Sequence, residues 1–245
     1  MKSRILLVAL CMFALLGSSC SVQSNANGQK KSAAIKTLIV GGGSSHNFDK
    51  WYKEVDVATL AKDGFADVKY TSTISEVLPQ LADLDVLILA NNQPMEDPAL
   101  RKAIFDFVAA GKGLILAHAG LWYNWRDWPE YNLQLAGGGS NGHDKYGPFN
   151  VTVVDTKHPV TKGVPQKFSL SDELYYYKAD PKGPGVKVLA NASVEGSDVI
   201  YPSVFVINNP KARIVGFALG HDAASHDLAA YQTLLRNAVK WASRK

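Results

Sequence analysis

The sequence predicts an α/β fold built on a mostly parallel sheet, with extra antiparallel strands in the second half. Two observations predict this fold. In the first half, short continuous apolar segments alternate with amphipathic helical segments, which is typical of a parallel sheet covered on both faces. From Phe149 onward, apolar segments follow one another across turns that contain Pro and Gly, with no helix between them until the last one. Of the 245 residues, 47% are apolar, which suffices for the core of one such domain.

The first half predicts four buried strands and three helices. The strands span residues 35–40, 66–71, 85–90 and 113–117, and the helices span residues 48–62, residues 75–81 and a segment that starts after Asp97. The third helix has the clearest boundaries. Asp97 is a suitable N-cap, Pro98 suits the first helical position, and Gly111 follows the helix end.

The second half predicts five further strands and one long final helix. The strands span residues 149–154, 174–178, 186–191, 199–207 and 213–219. The final helix spans residues 227–242, because its apolar side chains recur at helical spacing on one face. We therefore expect one elaborated domain over residues 35–245.

The first twenty residues predict export. Lys2 and Arg4 precede a short apolar run at residues 5–16, and small residues lead to Cys20, which is the pattern of a signal peptide. Cys20 resembles the acylated cysteine of bacterial lipoproteins, so we expect a signal peptide at 1–20, a lipid anchor on Cys20 and a flexible polar tether at 21–34. The protein would then be periplasmic or on the outer surface, and would contact the membrane only through its anchor. An ordinary signal peptide cut nearby is the alternative.

Cysteine content and charge exclude several functions. Once the leader is removed, no Cys follows Cys20, so neither a disulfide nor a thiol nucleophile is available within the domain. The net charge falls from +4 to +2 when Lys2 and Arg4 are removed. Such a small excess does not indicate a nucleic-acid partner.

Polar residues follow several of the predicted parallel strands. His46 follows the first strand and a run of three Gly, Asn91 follows the third, His118 follows the fourth, and His221 with Asp222 follows the last. Because the carboxyl ends of parallel strands meet at one edge of a sheet, these residues are expected to form one site.

Three of the candidates have residue types suited to catalysis. His118 lies at a sharp strand-to-helix turn and could act at the site, or could be a core histidine bonded to a carbonyl. His221 could be a ligand or an acid/base group, or could cap a loop. Glu173 could be a base or a metal ligand, or a solvated acid at a strand end. These residues suit a divalent metal such as zinc, held by His118 and His221, although no H-E-x-x-H motif is present.

Five further residues are candidates for substrate binding: His46, Asn91, Trp122, His143 and Asp222. Trp122 begins an aromatic group that could stack on sugar rings or pack a helix. His143 lies in a Gly-rich segment that we interpret as a mobile loop able to close over the site. Two other histidines are assigned structural positions, His158 in a turn and His226 exposed at a helix start.

Several segments together resemble a known family. They are GKGLILAHAG at 111–120, NGH at 141–143, HPVTKGVP at 158–165, DELY at 172–175 and ALGHD at 218–222. With these segments, the chain from about residue 35 to 241 resembles the ThuA-like (trehalose utilisation) family of the class I glutamine amidotransferase-like superfamily. The resemblance implies a flavodoxin-like three-layer sandwich, which agrees with the pattern of strands.

The resemblance also carries functional expectations. In glutamine amidotransferases the turn after the strand corresponding to residues 113–117 carries a nucleophilic Cys, and here that position is occupied by His118. Thiol-based glutamine hydrolysis is therefore excluded by the residue inventory. The family implies a role on sugars, including disaccharides, glycosides and their keto derivatives, with His46, His118, His143, Glu173 and His221 as pocket residues.

We therefore expect an exported enzyme of sugar catabolism. His118 and His221 would polarise or protonate a sugar carbonyl or hydroxyl, directly or through a metal, and Glu173 would act as the base. One alternative is a non-catalytic carbohydrate-binding or accessory lipoprotein. A weaker alternative is hydrolysis by a serine such as Ser44 or Ser45.

Overall fold

The computed structural model describes residues 33–122 and 126–245, which form one large sheet with helices on both faces. Nine strands lie in the order β2-β1-β3-β4-β11-β10-β9-β6-β7. The first five are β2 (Ala66–Thr71), β1 (Ile35–Val40), β3 (Val86–Leu89), β4 (Gly113–Ala117) and β11 (Ile214–Phe217), and they pair in parallel. The predicted three-layer α/β sandwich is thus confirmed.

The other half of the sheet is antiparallel. It consists of β10 (Tyr201–Ile207), β9 (Val186–Ser193), β6 (Gly147–Val153) and β7 (Lys167–Asp172). A separate two-stranded ribbon pairs β5 (Gly138–His143) with β8 (Tyr175–Ala179). The predicted change from parallel to antiparallel pairing is confirmed.

Helices cover the two faces. A π-helical segment, Asp49–Asp56, runs directly into α1 (Val57–Ala61), and the other α-helices are α2 (Pro98–Ala109), α3 (Ala119–Trp122), α4 (Ala223–His226) and α5 (Ala229–Ser243). Asp97 caps α2 through Ala99 N at 2.8 Å, as its sequence predicts. The short helix predicted at 75–81 is a pair of 3₁₀ turns, Ile74–Glu76 and Leu78–Asp83. No helix in the described ranges is long and apolar enough to cross a bilayer.

The core consists of two apolar layers, one on each face of the parallel strands. Side chains of alternating direction along each strand contribute to both, so Ile39 and Ile115 pack in the layer under α5 while Leu38 and Leu114 pack in the layer under α2. Because both faces are covered, the strands are continuously apolar and the strand ends are the places where polar residues can gather.

Two strands were missed by the sequence interpretation. The Gly-rich segment that contains His143 is not a mobile loop but strand β5, so that prediction was wrong. Gly138 permits the pairing, because a Cβ there would lie 2.1 Å from the carbonyl oxygen of Lys178. Strand β7 carries few apolar residues, and its alternating burial is that of an edge strand.

The antiparallel half curls back over the parallel half. In a flat sheet β7 would lie about 19 Å from β11, since four inter-strand steps separate them. Yet Asp172, the last residue of β7, accepts a hydrogen bond from Gly220 N, just after β11, at 2.8 Å. Register shifts in β10 between Pro202 and Phe205 mark an irregularity of the kind that increases strand twist.

Gly120 offers a test of the tight packing behind the strand ends. A Cβ at this position would lie 2.3 Å from the carbonyl oxygen of Leu89, which is backbone and cannot rotate away. We expect Gly120→Ala to lower the free energy of unfolding by about 1–3 kcal/mol, as measured by urea denaturation. Gly147→Ala, where the nearest atom is 3.6 Å away, is the matched control. An equal effect of the two substitutions would contradict the close approach.

Candidate functional site

Four side chains converge at the carboxyl edge of the parallel strands. His46, His118, Glu173 and His221 each place one ring nitrogen or carboxylate oxygen in a group whose members all lie within 4.8 Å of one another. Glu173 Oε2 lies 3.8 Å from His46 Nε2, 3.5 Å from His118 Nε2 and 3.3 Å from His221 Nδ1. The four residues are spread along the chain between positions 46 and 221, so it is the fold that brings them together.

His118 occupies a strained turn between β4 and α3. Its backbone angle φ is +40°, a value that residues other than Gly rarely adopt. Its side chain is fully buried. His118 Nδ1 lies 2.7 Å from the carbonyl oxygen of Ala218. Since a carbonyl only accepts, Nδ1 carries the proton and Nε2 presents its lone pair to the cluster. His118 is therefore a buried histidine bonded to a carbonyl, as one alternative predicts, and its Nε2 also lies in the cluster.

His46 is held in a similar way by the loop after β1. Its Nδ1 donates to the carbonyl oxygen of Ser44 at 3.1 Å, so its Nε2 lone pair also faces the cluster. The loop is fixed by Asn92, whose side chain accepts from Ser44 N at 2.9 Å and donates to Ser44 O at 3.0 Å. Gly43, with φ +123°, leaves room for Asn92 Oδ1, which would lie 1.8 Å from a Cβ there.

Asp172 joins the segments that carry Glu173 and His221. Its carboxylate is fully buried and accepts from Glu173 N at 2.7 Å and Gly220 N at 2.8 Å. The Ser225 hydroxyl donates to the same carboxylate. This positioning residue fixes the turn after β7 to the loop after β11.

A second buried group supports the Gly220 peptide from the other side. His226 Nδ1 lies 2.7 Å from Asp56 Oδ1, and its Nε2 donates to the carbonyl oxygen of Gly220 at 2.9 Å. Tyr52 donates to the same carbonyl oxygen at 2.9 Å. His226 is fully buried, so the prediction that it is exposed was wrong. Its partner Asp56 is 170 positions away, which no local pattern reveals.

The electrostatics of the cluster favour a neutral His46 and an ionised Glu173 carboxylate. Burial and the neighbouring His118 lower the pKa of His46 to about 4. Although burial opposes ionisation, the imidazoles of His118 and His221 hold the pKa of Glu173 well below its usual range. The Glu173 carboxylate in turn raises the pKa of His221.

The donor set fits a metal ion. His46 Nε2, His118 Nε2 and His221 Nδ1 are buried and have no hydrogen-bond partner among the described residues. A buried polar atom without a partner is costly, and three of them aimed at one carboxylate are the arrangement that a cation would satisfy. In His118 and His46 the other ring nitrogen is fixed by a carbonyl, which is the usual outer support of metal-ligating histidines.

Polar and aromatic side chains line the entrance to the cluster. His143 Nε2 lies 3.7 Å from Glu173 Oε1, while its Nδ1 donates to the carbonyl oxygen of Asp144 at 2.6 Å. The exposed Tyr146 has its ring centroid 5.3 Å from that of His221 and donates to Asp222 Oδ1 at 3.0 Å. These three groups at the entrance can contact a polar substrate.

The other predicted residues lie away from the cluster or outside the described part. Asn91 is fully buried and donates to the carbonyl oxygen of Gln93 at 3.2 Å, so its side chain offers no surface to a ligand. The side chain of Trp122 and the whole of Cys20 lie outside the described residues. Trp128, from the same aromatic group, is buried in the core under α2. His158 accepts from Val160 N in a turn, as predicted.

Comparison with known proteins gives one family and several solved structures. The family model described as "ThuA: Trehalose utilisation" matches residues 26–242. A putative ThuA-like protein from Parabacteroides merdae is 23% identical, with 86% of this chain and 90% of that chain covered and a TM-score of 0.74. A second from Bacteroides uniformis is 24% identical, with coverages of 89% and 94% and a TM-score of 0.73.

A more distant structure supports the fold alone. The CTPS glutaminase domain of Trypanosoma brucei is 10% identical, with 86% of this chain and 95% of that chain covered and a TM-score of 0.53. A comparison with curated proteins found no match.

The coupling between Glu173 and His221 can be measured directly. We expect Glu173→Gln to lower the pKa of His221, because the substitution removes the negative charge that raises it while burial continues to lower it. NMR titration of the histidine ring protons in chelator-treated protein measures this change. Glu195→Gln, an exposed carboxylate in the turn after β9, is the control. If the pKa of His221 is the same in Glu173→Gln as in Glu195→Gln and the wild type, the Glu173 carboxylate does not lie beside the His221 ring.

The role of Asp172 can be tested through stability. Asp172→Asn keeps one acceptor oxygen but replaces the other with a donor that faces donors, so we expect the free energy of unfolding to fall by about 1–3 kcal/mol. Urea denaturation measures the change. Asp106→Asn, which affects only an exposed ion pair with Lys102, should have an effect below about 1 kcal/mol. If Asp172→Asn lowers the free energy of unfolding no more than Asp106→Asn does, the Asp172 carboxylate does not hold the two segments together.

Proposed function

The chain belongs to the ThuA (trehalose utilisation) family, and from that premise we propose that it is an exported, lipid-anchored enzyme that uses a divalent metal to act on a sugar. The observation that carries this proposal is the convergence of His46, His118, Glu173 and His221 within 4.8 Å, with three buried ring nitrogens that lack a hydrogen-bond partner among the described residues. The anchor is the acylated Cys20.

These four residues would together hold the metal. Three imidazole nitrogens and one carboxylate oxygen are the ligand types that zinc prefers. Glu173 Oε2 lies 3.3–3.8 Å from the three ring nitrogens, so a divalent ion would be held between the carboxylate and the imidazoles. Glu173 is therefore a ligand in this proposal rather than the free base that the sequence suggested.

The residues at the entrance bind the substrate and move protons. When bound, the metal supplies a Lewis acid that polarises a carbonyl or hydroxyl oxygen of the sugar. His143 donates through Nδ1 to the carbonyl oxygen of Asp144, which leaves Nε2, close to Glu173, as the nitrogen that would accept a proton from the substrate. Tyr146 and Asp222 contact each other at the entrance and offer a ring face and a carboxylate to the sugar.

The favoured substrates are disaccharides or glycosides and their keto derivatives. Removing a proton from the carbon beside a carbonyl needs a base and a group that stabilises the developing negative oxygen. The entrance provides a candidate base in His143, and the cluster provides the place for the cation. A keto sugar would use both the base and the cation, so keto derivatives are the first substrates to test.

The proposal predicts linked loss of metal and activity. We expect His118→Ala and Glu173→Ala to lower bound zinc, measured by elemental analysis of the purified protein, and to lower turnover of 3-keto-glycosides by at least about 100-fold. His158→Ala is the control, since His158 lies in a turn and takes no part in the cluster. Added zinc should restore activity to chelator-treated wild type and leave both variants inactive.

Two outcomes would reject this function. If the wild type and both cluster variants have equal metal content and equal turnover, the cluster neither binds the metal nor takes part in the reaction. Sugar binding without any product, in the presence and absence of zinc, would instead support the non-catalytic accessory role.

A further inference from the structure

The edge of the sheet opposite the site carries a cluster of cations. This basic face lines a depression between the turn after β6 and the end of α5, and consists of Lys157, Lys162, Arg213, Lys240, Arg244 and Lys245. Arg213 immediately precedes β11, whereas His221 follows the same strand. Because a strand rises about 3.3 Å per residue, the basic face and the site lie at opposite ends of the parallel strands.

Much of this positive charge is not neutralised within the domain. The nearby carboxylates already have partners: Asp85 pairs with Lys245 at 2.6 Å, and Asp155 pairs with Lys187 at 2.7 Å. The exposed side chains of Lys157, Lys162 and Lys240 contact no carboxylate among the described residues. The face therefore presents a net positive surface to whatever lies against it.

The chain enters the domain at the same edge. Strand β1 begins at Ile35, and Lys36 N donates to Asp85 Oδ2 at 2.9 Å, the same oxygen that Lys245 Nζ contacts. Twelve residues lie between Cys20 and Ala33, the first described residue, and the thirteen steps from Cys20 to Ala33 reach at most about 45 Å when fully extended. A lipid on Cys20 would thus join the domain to the bilayer through a tether that enters at this edge.

We propose that the basic face docks on the surface of an anionic phospholipid bilayer and so directs the site away from the membrane. The proposal rests on the lipid anchor of the proposed function. Lysine and arginine side chains are attracted to anionic lipid headgroups within a Debye length of about 8 Å at physiological salt. An anchor combined with a basic surface gives the two-part attachment that holds peripheral proteins stably.

Amine labelling of the lipidated full-length mature protein tests this orientation. The protein is reconstituted in vesicles of 30% phosphatidylglycerol and 70% phosphatidylcholine, or of phosphatidylcholine alone, and its lysines are acetylated and quantified by mass spectrometry. We expect at least threefold lower labelling of Lys157, Lys162 and Lys240 in the anionic vesicles, and loss of this protection in 1 M salt. The helix lysines Lys50, Lys53 and Lys102, which lie outside the basic face, should label equally in both.

Charge reversal provides the matched comparison. Two reporters are read in the charge-reversed proteins: Lys245, and Lys211, whose carbonyl oxygen accepts from Arg244 at 2.6 Å. The triple variant K157E/K162E/K240E should lose the difference between the two vesicle types at these lysines, whereas K50E/K53E/K102E should retain it. Equal labelling of the basic face in both vesicle types would overturn the docking, and so would a mass spectrum without an acyl group on Cys20. Zinc content and sugar turnover of the same samples report on the proposed function separately, since none of these lysines contacts the cluster.

Discussion

The buried carboxylate of Asp172 is the interaction on which the site depends. Its oxygens bind the backbone of Glu173 and of Gly220, and these residues belong to opposite halves of a mixed sheet. The pairing of β10 with β11 joins the two halves within the sheet, and the Asp172 contact additionally holds the end of β7 against the loop after β11. A fully buried carboxylate needs such a set of donors, and the backbone and Ser225 supply them without a charged partner.

The parallel strands provide the rest of the arrangement. β4 and β11 end side by side, and β1 ends at the same edge with β3 between it and β4. Each of the three is followed by a segment that places one imidazole at the shared edge. His118 does so from a conformation with φ +40°, a cost that persists only where the surrounding structure fixes it. Here the carbonyl of Ala218 and the ring of Tyr175, 4.5 Å away between centroids, fix it.

The sequence predicted the fold well because continuous apolar strands and capped helices are local signals. It also predicted that His46, His118 and His221 belong to one pocket, since strand ends and the family resemblance both indicate them. Glu173 and His143 were added to that pocket by the resemblance. It did not predict the contacts between Asp172 and Gly220 or between His226 and Asp56, which join residues 48 and 170 positions apart. It chose Asn91 where the structure uses Asn92, because neighbouring residues differ in direction and only the backbone decides which one points at the loop.

The mixed sheet has one further consequence if the cluster holds a metal. Three of its ligands follow strands of the parallel half, and the fourth follows β7 at the far end of the antiparallel half. A bound ion would therefore act as a reversible cross-link between the two halves, in addition to its chemistry. Its concentration would then set how firmly the halves are joined, because a ligand that binds only the folded state stabilises that state by mass action. Removal of such an ion would lower the free energy of unfolding of the whole sheet.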